Sequence, residues 1–318
     1  GRGVLEGLGI NAQIDGKDVA ARGNFCLTDQ SGVITDRRAG RLSTNECKEL
    51  VKLLNTIEIP GFDFEVYPVM DYRFVVVIKG QGVSHEITET DPQIEGSEIL
   101  QSNPISDKGS STSLAVNMFT QEAIKLLKNA KSRANGIILR GFSSTPTLPD
   151  FCENYKLNAA CIAGYPMYRG VSGLLGMNVL ECGQEFTDEF STLSENFHKN
   201  LYDYYFVHYK PADSAGEDGN FNAKVQALET FDSFIPQILD LNPDVLVVAG
   251  DHSTPSYLSS HSWHPVPFLI NSKISQSTPE IEFNETSFTQ LGSAGSISAE
   301  HLMLLVLAHA EKLHKFGP

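Results

Sequence analysis

The chain has 318 residues, 41% hydrophobic and 20% charged, a balance that excludes wholesale disorder and suits one large or two ordinary domains. Asp and Glu number 39 against 24 Lys and Arg, a formal charge of −15, which excludes a broad positive surface for a nucleic-acid backbone. No apolar run reaches the roughly 18–20 residues that a membrane-spanning helix needs.

The chain opens on Gly1-Arg2-Gly3-Val4-Leu5-Glu6-Gly7-Leu8-Gly9, without Met or a basic-then-apolar leader, and reads as an internal cut. Phe74-Val75-Val76-Val77-Ile78 predicts a strand, followed by the breakers Gly80, Gly82 and Asp91-Pro92. Residues 101–113 are polar and predict a loop. From about Leu114 to Asn129, the residues Leu114, Met118, Ala123, Ile124 and Leu127 cluster on one side of a predicted helix. Gly136-Ile137-Ile138-Leu139-Arg140-Gly141 predicts a buried strand that ends on an Arg.

From about Phe151, short strands and helices alternate. Residues 159–162 and 204–208 predict strands, and Val225, Leu228, Phe231, Ile235 and Leu239 keep helical spacing up to Pro236, which must kink or end the helix. Val245-Leu246-Val247-Val248-Ala249 predicts a strand covered on both faces. Residues 300–316 predict an amphipathic helix through Leu302, Leu305, Leu307 and Leu313. This alternation implies an α/β layer structure with a parallel-leaning sheet. Five cysteines (Cys26, Cys47, Cys152, Cys161, Cys182), odd in number and without a Cys-x-x-Cys pair, argue for a reducing compartment rather than a disulfide frame or zinc knuckle.

Three segments carry chemistry. Gly250-Asp251-His252 follows the strand at 245–249, and ligands of open α/β sheets bind beyond the carboxyl ends of strands. A hard oxygen beside a borderline nitrogen suits Mn²⁺ or Zn²⁺ better than Ca²⁺, although an N-cap Asp with a chance His neighbour fits equally well. Lys210-Pro211-Ala212-Asp213-Ser214-Ala215-Gly216-Glu217-Asp218-Gly219 places three acids after another strand, and both a wrapped cation and a solvated turn fit that run. His261-Ser262-Trp263-His264-Pro265-Val266-Pro267 sets two imidazoles before a rigid Pro-Val-Pro, as a presenting loop or as plain surface.

These segments, with Gly1-Arg2-Gly3, Asp18 to Phe25, Asp36-Arg37-Arg38-Ala39-Gly40-Arg41, Thr90-Asp91-Pro92, Leu139-Arg140-Gly141 and Tyr168-Arg169-Gly170, resemble the cofactor-independent phosphoglycerate mutases along the whole chain and in order. The resemblance is to the archaeal-type branch, in the alkaline phosphatase superfamily. It implies an incomplete alkaline-phosphatase-like α/β core with an inserted, smaller α+β substrate domain on a mixed sheet. Residues 1–11 would end a core segment, 12–150 would be the insert and 151–318 the metal-binding part of the core. It implies interconversion of 3-phosphoglycerate and 2-phosphoglycerate through a phosphoserine, in the cytoplasm; the charge balance and the lack of a long apolar run give no nucleic-acid or membrane partner, and oligomerisation stays open. It also implies two divalent ions, Mn²⁺ or Mg²⁺, one held by Asp213, Glu217 and His261 and the other by Asp251 and His252.

Arg presents planar bidentate donors to phosphate and carboxylate. By the same resemblance, Arg22, Arg37, Arg38, Arg41, Arg140 and Arg169 are candidate substrate contacts, with two or three of the six expected to bind, and Lys210 is a point charge beside the metals. The serine nucleophile and a further ligating Asp are expected in an N-terminal segment not present here, so this chain alone is expected to be an inactive truncation. Two departures stand out: Glu217 replaces the His of the family's Asp-x-x-x-His pattern, and Glu185-Phe186-Thr187-Asp188 replaces a Gly- and Thr-rich stretch. They leave as alternatives another phosphohydrolase of the superfamily, or a non-catalytic relative that binds metal or phosphoglycerate. No Gly-x-Ser-x-Gly elbow or Gly-x-x-x-x-Gly-Lys-Ser/Thr loop exists. His85, His198, His301, His309 and His314 lack partners at ligand spacing and read as solvated, and Trp263 reads as a loop anchor.

Overall fold

The computed structural model describes residues 1–130, 132–275, 284–292 and 294–313. They fall into two units, Gly1–His208 and Tyr209–Pro318.

The first unit opens with α1 (Arg2–Gly9), followed by β1 (Val19–Thr28), β2 (Ile34–Asp36), α2 (Thr44–Leu54), β3 (Asp63–Pro68), β4 (Arg73–Lys79), α3 (Ser110–Asn129) and β5 (Gly136–Ser143). Ser43 and Glu46 cap α2 reciprocally, each side chain accepting from the other residue's backbone N–H. The strands form one sheet in the order β2-β1-β4-β3, with β5 also paired to β1. Every pairing is antiparallel, which corrects the mixed sheet expected over residues 12–150. The four-residue link at 69–72 is too short for a crossover, so β4 must fold back against β3.

The strand predicted at 74–78 is β4, with all five residues fully buried. The predicted helix is α3, but its buried face carries Ala115, Val116, Phe119, Ala123 and Leu127, while Leu114 is 63% exposed. Phe119 stacks on Phe64 of β3 at 4.5 Å, and that contact sets the rotation of the helix.

Next come α4 (Phe151–Tyr155), β6 (Ala159–Ile162), α5 (Pro166–Leu174), β7 (Asn178–Leu180), α6 (Phe186–Phe197) and β8 (Tyr204–Val207). Here the expected parallel sheet exists, in the order β7-β6-β8, because helical crossovers separate its strands. Helices α1 and α5 approach so closely that a Cβ on Gly9 would lie 1.8 Å from the Pro166 carbonyl oxygen, and one on Gly170 1.8 Å from that of Leu5. At the carboxyl end of β6, buried Glu189 of α6 accepts from the Gly164 amide at 2.7 Å through Oε1. Burial raises its carboxyl to about 7.

The second unit contains α7 (Pro211–Glu217), α8 (Phe221–Asp232), α9 (Ile235–Asp240), β9 (Val245–Ala249), β10 (Phe268–Ser272), α10 (Glu285–Leu291) and α11 (Leu302–His309). Helix α8 ends before Pro236, which lies in the first turn of α9, as its missing N–H dictates. The apolar strand β9 was expected in a parallel sheet covered on both faces. Among the described residues it instead pairs only with β10, antiparallel, and is half-buried, because the chain returns through a loop rather than a crossover helix. The C-terminal helix is shorter than expected and not amphipathic: residues 302–308 are apolar all round, with Leu307 buried and Leu304 51% exposed. The part of that prediction at 314–318, His314 included, lies outside the described residues. His309 is not simply solvated, since its Nδ1 is 2.8 Å from the Ser272 hydroxyl. No helix among the described residues is long and apolar enough to cross a membrane.

Candidate metal centre and arginine cluster

The acid run at 213–218 is neither a wrapped loop nor a free turn. Pro211 starts α7 with its fixed φ, and Asp213 and Glu217, four residues apart, share one face of that helix. Strand β9 delivers Asp251 and His252 immediately after its end. The loop beyond is pinched by a bridge in which the Ser262 amide donates to the Ser253 carbonyl at 2.9 Å. That pinch brings His261 against His252, nine residues earlier, with ring centroids 3.8 Å apart and an interplanar angle of 28°.

Asp213, His252 and His261 each offer a ligand atom within 4.8 Å of the others. His261 Nε2 is 3.5 Å from both Asp213 Oδ1 and Glu217 Oε1. His252 Nδ1 is 3.9 Å from Asp213 Oδ1, and its Nε2 is 3.6 Å from Asp251 Oδ2. Donor atoms about 2.0–2.2 Å from a divalent ion lie roughly 3–4 Å from one another, so these spacings fit such an ion. Carboxylate oxygens mixed with imidazole nitrogens suit Mn²⁺, Mg²⁺ or Zn²⁺.

Asp213 is the best-supported member. Lys210 Nζ engages its Oδ2, and the Thr254 hydroxyl donates to Oδ1 at 2.6 Å. Burial pushes its carboxyl up, but the hydrogen bonds from Lys210 and Thr254 and the charges of Lys210 and His252 outweigh burial and hold it below its ordinary value. Asp251, with its side chain 53% exposed, accepts from the His252 amide at 3.0 Å.

The candidate arginines lie in the first unit and divide into two groups. Arg22 of β1 and Arg140 of β5 are direct register partners. Arg37 clasps Asp91 with two bonds, Nε to Oδ1 at 3.2 Å and Nη2 to Oδ2 at 2.5 Å, and Arg140 Nε lies 3.6 Å from the same Oδ2. Arg22 Nη1 is 3.5 Å from Glu6 Oε1 of α1. Burial and the charges of Arg22, Arg37 and Arg2 push the Arg140 guanidinium down, against the pull of Asp91. Three guanidinium groups thus share two buried carboxylates, Glu6 and Asp91. Arg22 Nε and Arg140 Nε are buried without a hydrogen-bond partner among the described residues. A cluster with surplus positive charge and free donors can receive an anion.

The remaining arginines are placed differently. Arg38 and Arg41 are exposed on the turn after β2, where Arg41 adopts φ 56°. Arg169 spends all three guanidinium nitrogens within the protein, on the Gly9 carbonyl at 3.2 Å, the Leu180 carbonyl at 3.2 Å and Glu181 Oε1 at 2.6 Å. Sequence reasoning assigned no role to Glu6 or Thr254; the signal for Thr254 was its place two residues beyond His252.

The family model described as 2,3-bisphosphoglycerate-independent phosphoglycerate mutase matches residues 1–132. A curated relative from Thermotoga maritima, described as "Probable 2,3-bisphosphoglycerate-independent phosphoglycerate mutase", is 44% identical over 319 residues, covering 100% of this chain and 78% of its own length. A Thermus thermophilus relative with the same description is 41% identical over 322 residues, with the same coverage. Among solved structures, a cofactor-independent phosphoglycerate mutase from Thermoplasma acidophilum is 25% identical with a TM-score of 0.60, over 98% of this chain and 82% of its own. A Pyrococcus horikoshii protein at 21% identity has a TM-score of 0.78, over 100% of this chain and 80% of its own, a likeness of fold.

Proposed function

The chain belongs to the 2,3-bisphosphoglycerate-independent phosphoglycerate mutase family, and on that premise we propose that it interconverts 3-phosphoglycerate and 2-phosphoglycerate by divalent-metal-dependent phosphoryl transfer. The observation that carries this proposal is the convergence of Asp213, His252 and His261, from a helix and two parts of a loop, within 4.8 Å. When bound, two Mn²⁺ or Mg²⁺ ions would neutralise the phosphoryl oxygens and polarise the attacking and leaving groups of an in-line displacement.

Asp213, Glu217 and His261 would hold one ion, and Asp251 and His252 the other. Lys210 anchors Asp213 by one carboxylate oxygen and leaves the other turned to the imidazoles. Arg22, Arg37 and Arg140 bind the anionic substrate, their planes set by Glu6 and Asp91. Arg38 and Arg41 supply long-range attraction from the surface, and Arg169 holds α5 in place. Transfer proceeds through a phosphoserine, a role for which no serine of this chain is singled out. The same proposal includes an archaeal-type, alkaline-phosphatase-like core (residues 151–318), a substrate-binding insert (residues 12–150) and a cytoplasmic location.

The chain spans 78% of its curated relatives' length, so the test is ³¹P NMR of the protein at its relatives' full length with 3-phosphoglycerate. With Mn²⁺ the 2-phosphoglycerate resonance should appear, and chelation or His261→Ala should abolish it. Release of inorganic phosphate without isomerisation would identify a phosphohydrolase instead. Tight Mn²⁺ binding with no turnover would identify a non-catalytic relative.

A further inference from the structure

We propose that Thr254 is a positioning residue of the metal centre: its hydroxyl, by donating to Asp213, obliges His252 to carry its ring proton on Nδ1 and to present Nε2, beside Asp251, as the donor nitrogen. The part about metal binding rests on the function proposed above; the part about the tautomer does not.

Thr254 Oγ1 is 2.6 Å from Asp213 Oδ1 and 3.0 Å from His252 Nδ1. Two oxygens 2.6 Å apart must share a proton. A carboxylate with Lys210 Nζ on its other oxygen is ionised and has none to give. The proton is therefore the hydroxyl's, and a hydroxyl has only one. Only lone pairs of Oγ1 remain to face Nδ1, so the contact at 3.0 Å requires Nδ1–H. In the neutral ring Nε2 then bears the lone pair, 3.6 Å from Asp251 Oδ2. Two acceptors facing each other at that distance suit a cation between them. The chain Nδ1–H to hydroxyl to carboxylate is the kind of outer support that orients metal-ligating histidines. It also links His252 to Asp213 through a hydroxyl.

Thr254 is built to stay in place. It is 3% exposed, and its carbonyl accepts from Lys224 Nζ of α8 at 2.5 Å. It packs on α7 over Gly216, where a Cβ would come within 2.3 Å of the Thr254 carbonyl oxygen and 2.9 Å of its Cγ2. The residue between Asp213 and Glu217 that permits this approach is thus one without a side chain.

The experiment pairs Thr254→Val, which keeps shape and loses the hydroxyl, with Thr254→Ser, which keeps the hydroxyl. The full chain is studied free of metal by ¹H–¹⁵N correlation of the imidazoles at a pH where they are neutral, and then titrated with Mn²⁺ by electron paramagnetic resonance. His252 should show the Nδ1–H tautomer in the wild type and in Thr254→Ser, and lose that preference in Thr254→Val. Mn²⁺ affinity should fall roughly 10–100-fold in Thr254→Val and stay within about threefold of wild type in Thr254→Ser. An Nε2–H tautomer in the wild type overturns the proposal without any variant, as does a Thr254→Val protein with wild-type tautomer and affinity. A wild type that binds no Mn²⁺ overturns the metal-dependent function, while the tautomer still decides the role of Thr254.

Discussion

Arg22 and Arg140 meet because two strands place them opposite each other, whereas Asp213, His252 and His261 meet because a seven-residue helix and a pinched loop happen to end together. The arginine cluster is fixed by backbone register and includes two carboxylates that are almost wholly buried, Glu6 and Asp91. The acid–imidazole cluster is half-exposed and depends on side-chain hydrogen bonds from Thr254 and Lys210. The first is part of the fold's stability. The second is a set of lone pairs, pre-arranged but held together weakly, which a cation would complete.

Paired alanine substitutions separate the two clusters most widely. Asp91→Ala leaves Arg37 and Arg140 without their shared counter-charge and should cost about 3 kcal/mol in denaturant unfolding. Asp213→Ala, whose partner Lys210 is partly exposed but which also takes the acceptor from the buried Thr254 hydroxyl, should cost about 1 kcal/mol while removing measurable Mn²⁺ binding. Equal stability losses would dissolve the distinction between the two clusters.

Glu189 of the first unit adds a pH dependence to stability. The folded protein keeps the Glu189 proton up to about 7, whereas the ordinary value is 4.5. Folding therefore favours the protonated acid, and this contribution to stability is lost as pH rises from the unfolded value through about 7. Glu189→Gln keeps the acceptor for the Gly164 amide and removes the charge. Between pH 5 and 8 it should gain on the wild type by on the order of 2–3 kcal/mol, read from unfolding curves across that range. Parallel curves would mean the carboxyl is not desolvated in the folded state.

The smallest expected effect lies beneath the acid–imidazole cluster. Gly216→Ala should favour α7 by ~1 kcal/mol on helix propensity alone, yet the new methyl meets the Thr254 backbone. A net loss of about 1 kcal/mol and weaker Mn²⁺ binding are expected, measured together by thermal unfolding and metal titration. A stabilised variant with unchanged binding would show that Thr254 is not seated by that glycine.

Much of the site was legible because chemistry is written in residue types. Asp213, Glu217, Asp251, His252 and His261 stood out as acids and imidazoles near strand ends, and the structure draws them into one neighbourhood. Strands with unbroken β-branched runs, such as β4, were equally plain. The rotation of α3 was not, since several of its faces carry apolar residues and only the contact of Phe119 with Phe64 selects one. Nor was strand direction, which depends on how the connection returns and leaves no mark on the strand itself.

The amino-acid order alone determined the most apolar extended segments, such as β4, β5 and β9, and which residues can ligate or pair, because these follow from local sterics and side-chain chemistry. Only the tertiary structure decided that Arg22 faces Arg140, that a bridge at Ser253 and Ser262 seats His261 on His252, and that the Thr254 hydroxyl lies between Asp213 and His252. Those facts depend on contacts between residues distant in sequence and on distances of a few tenths of an ångström, which no local pattern encodes.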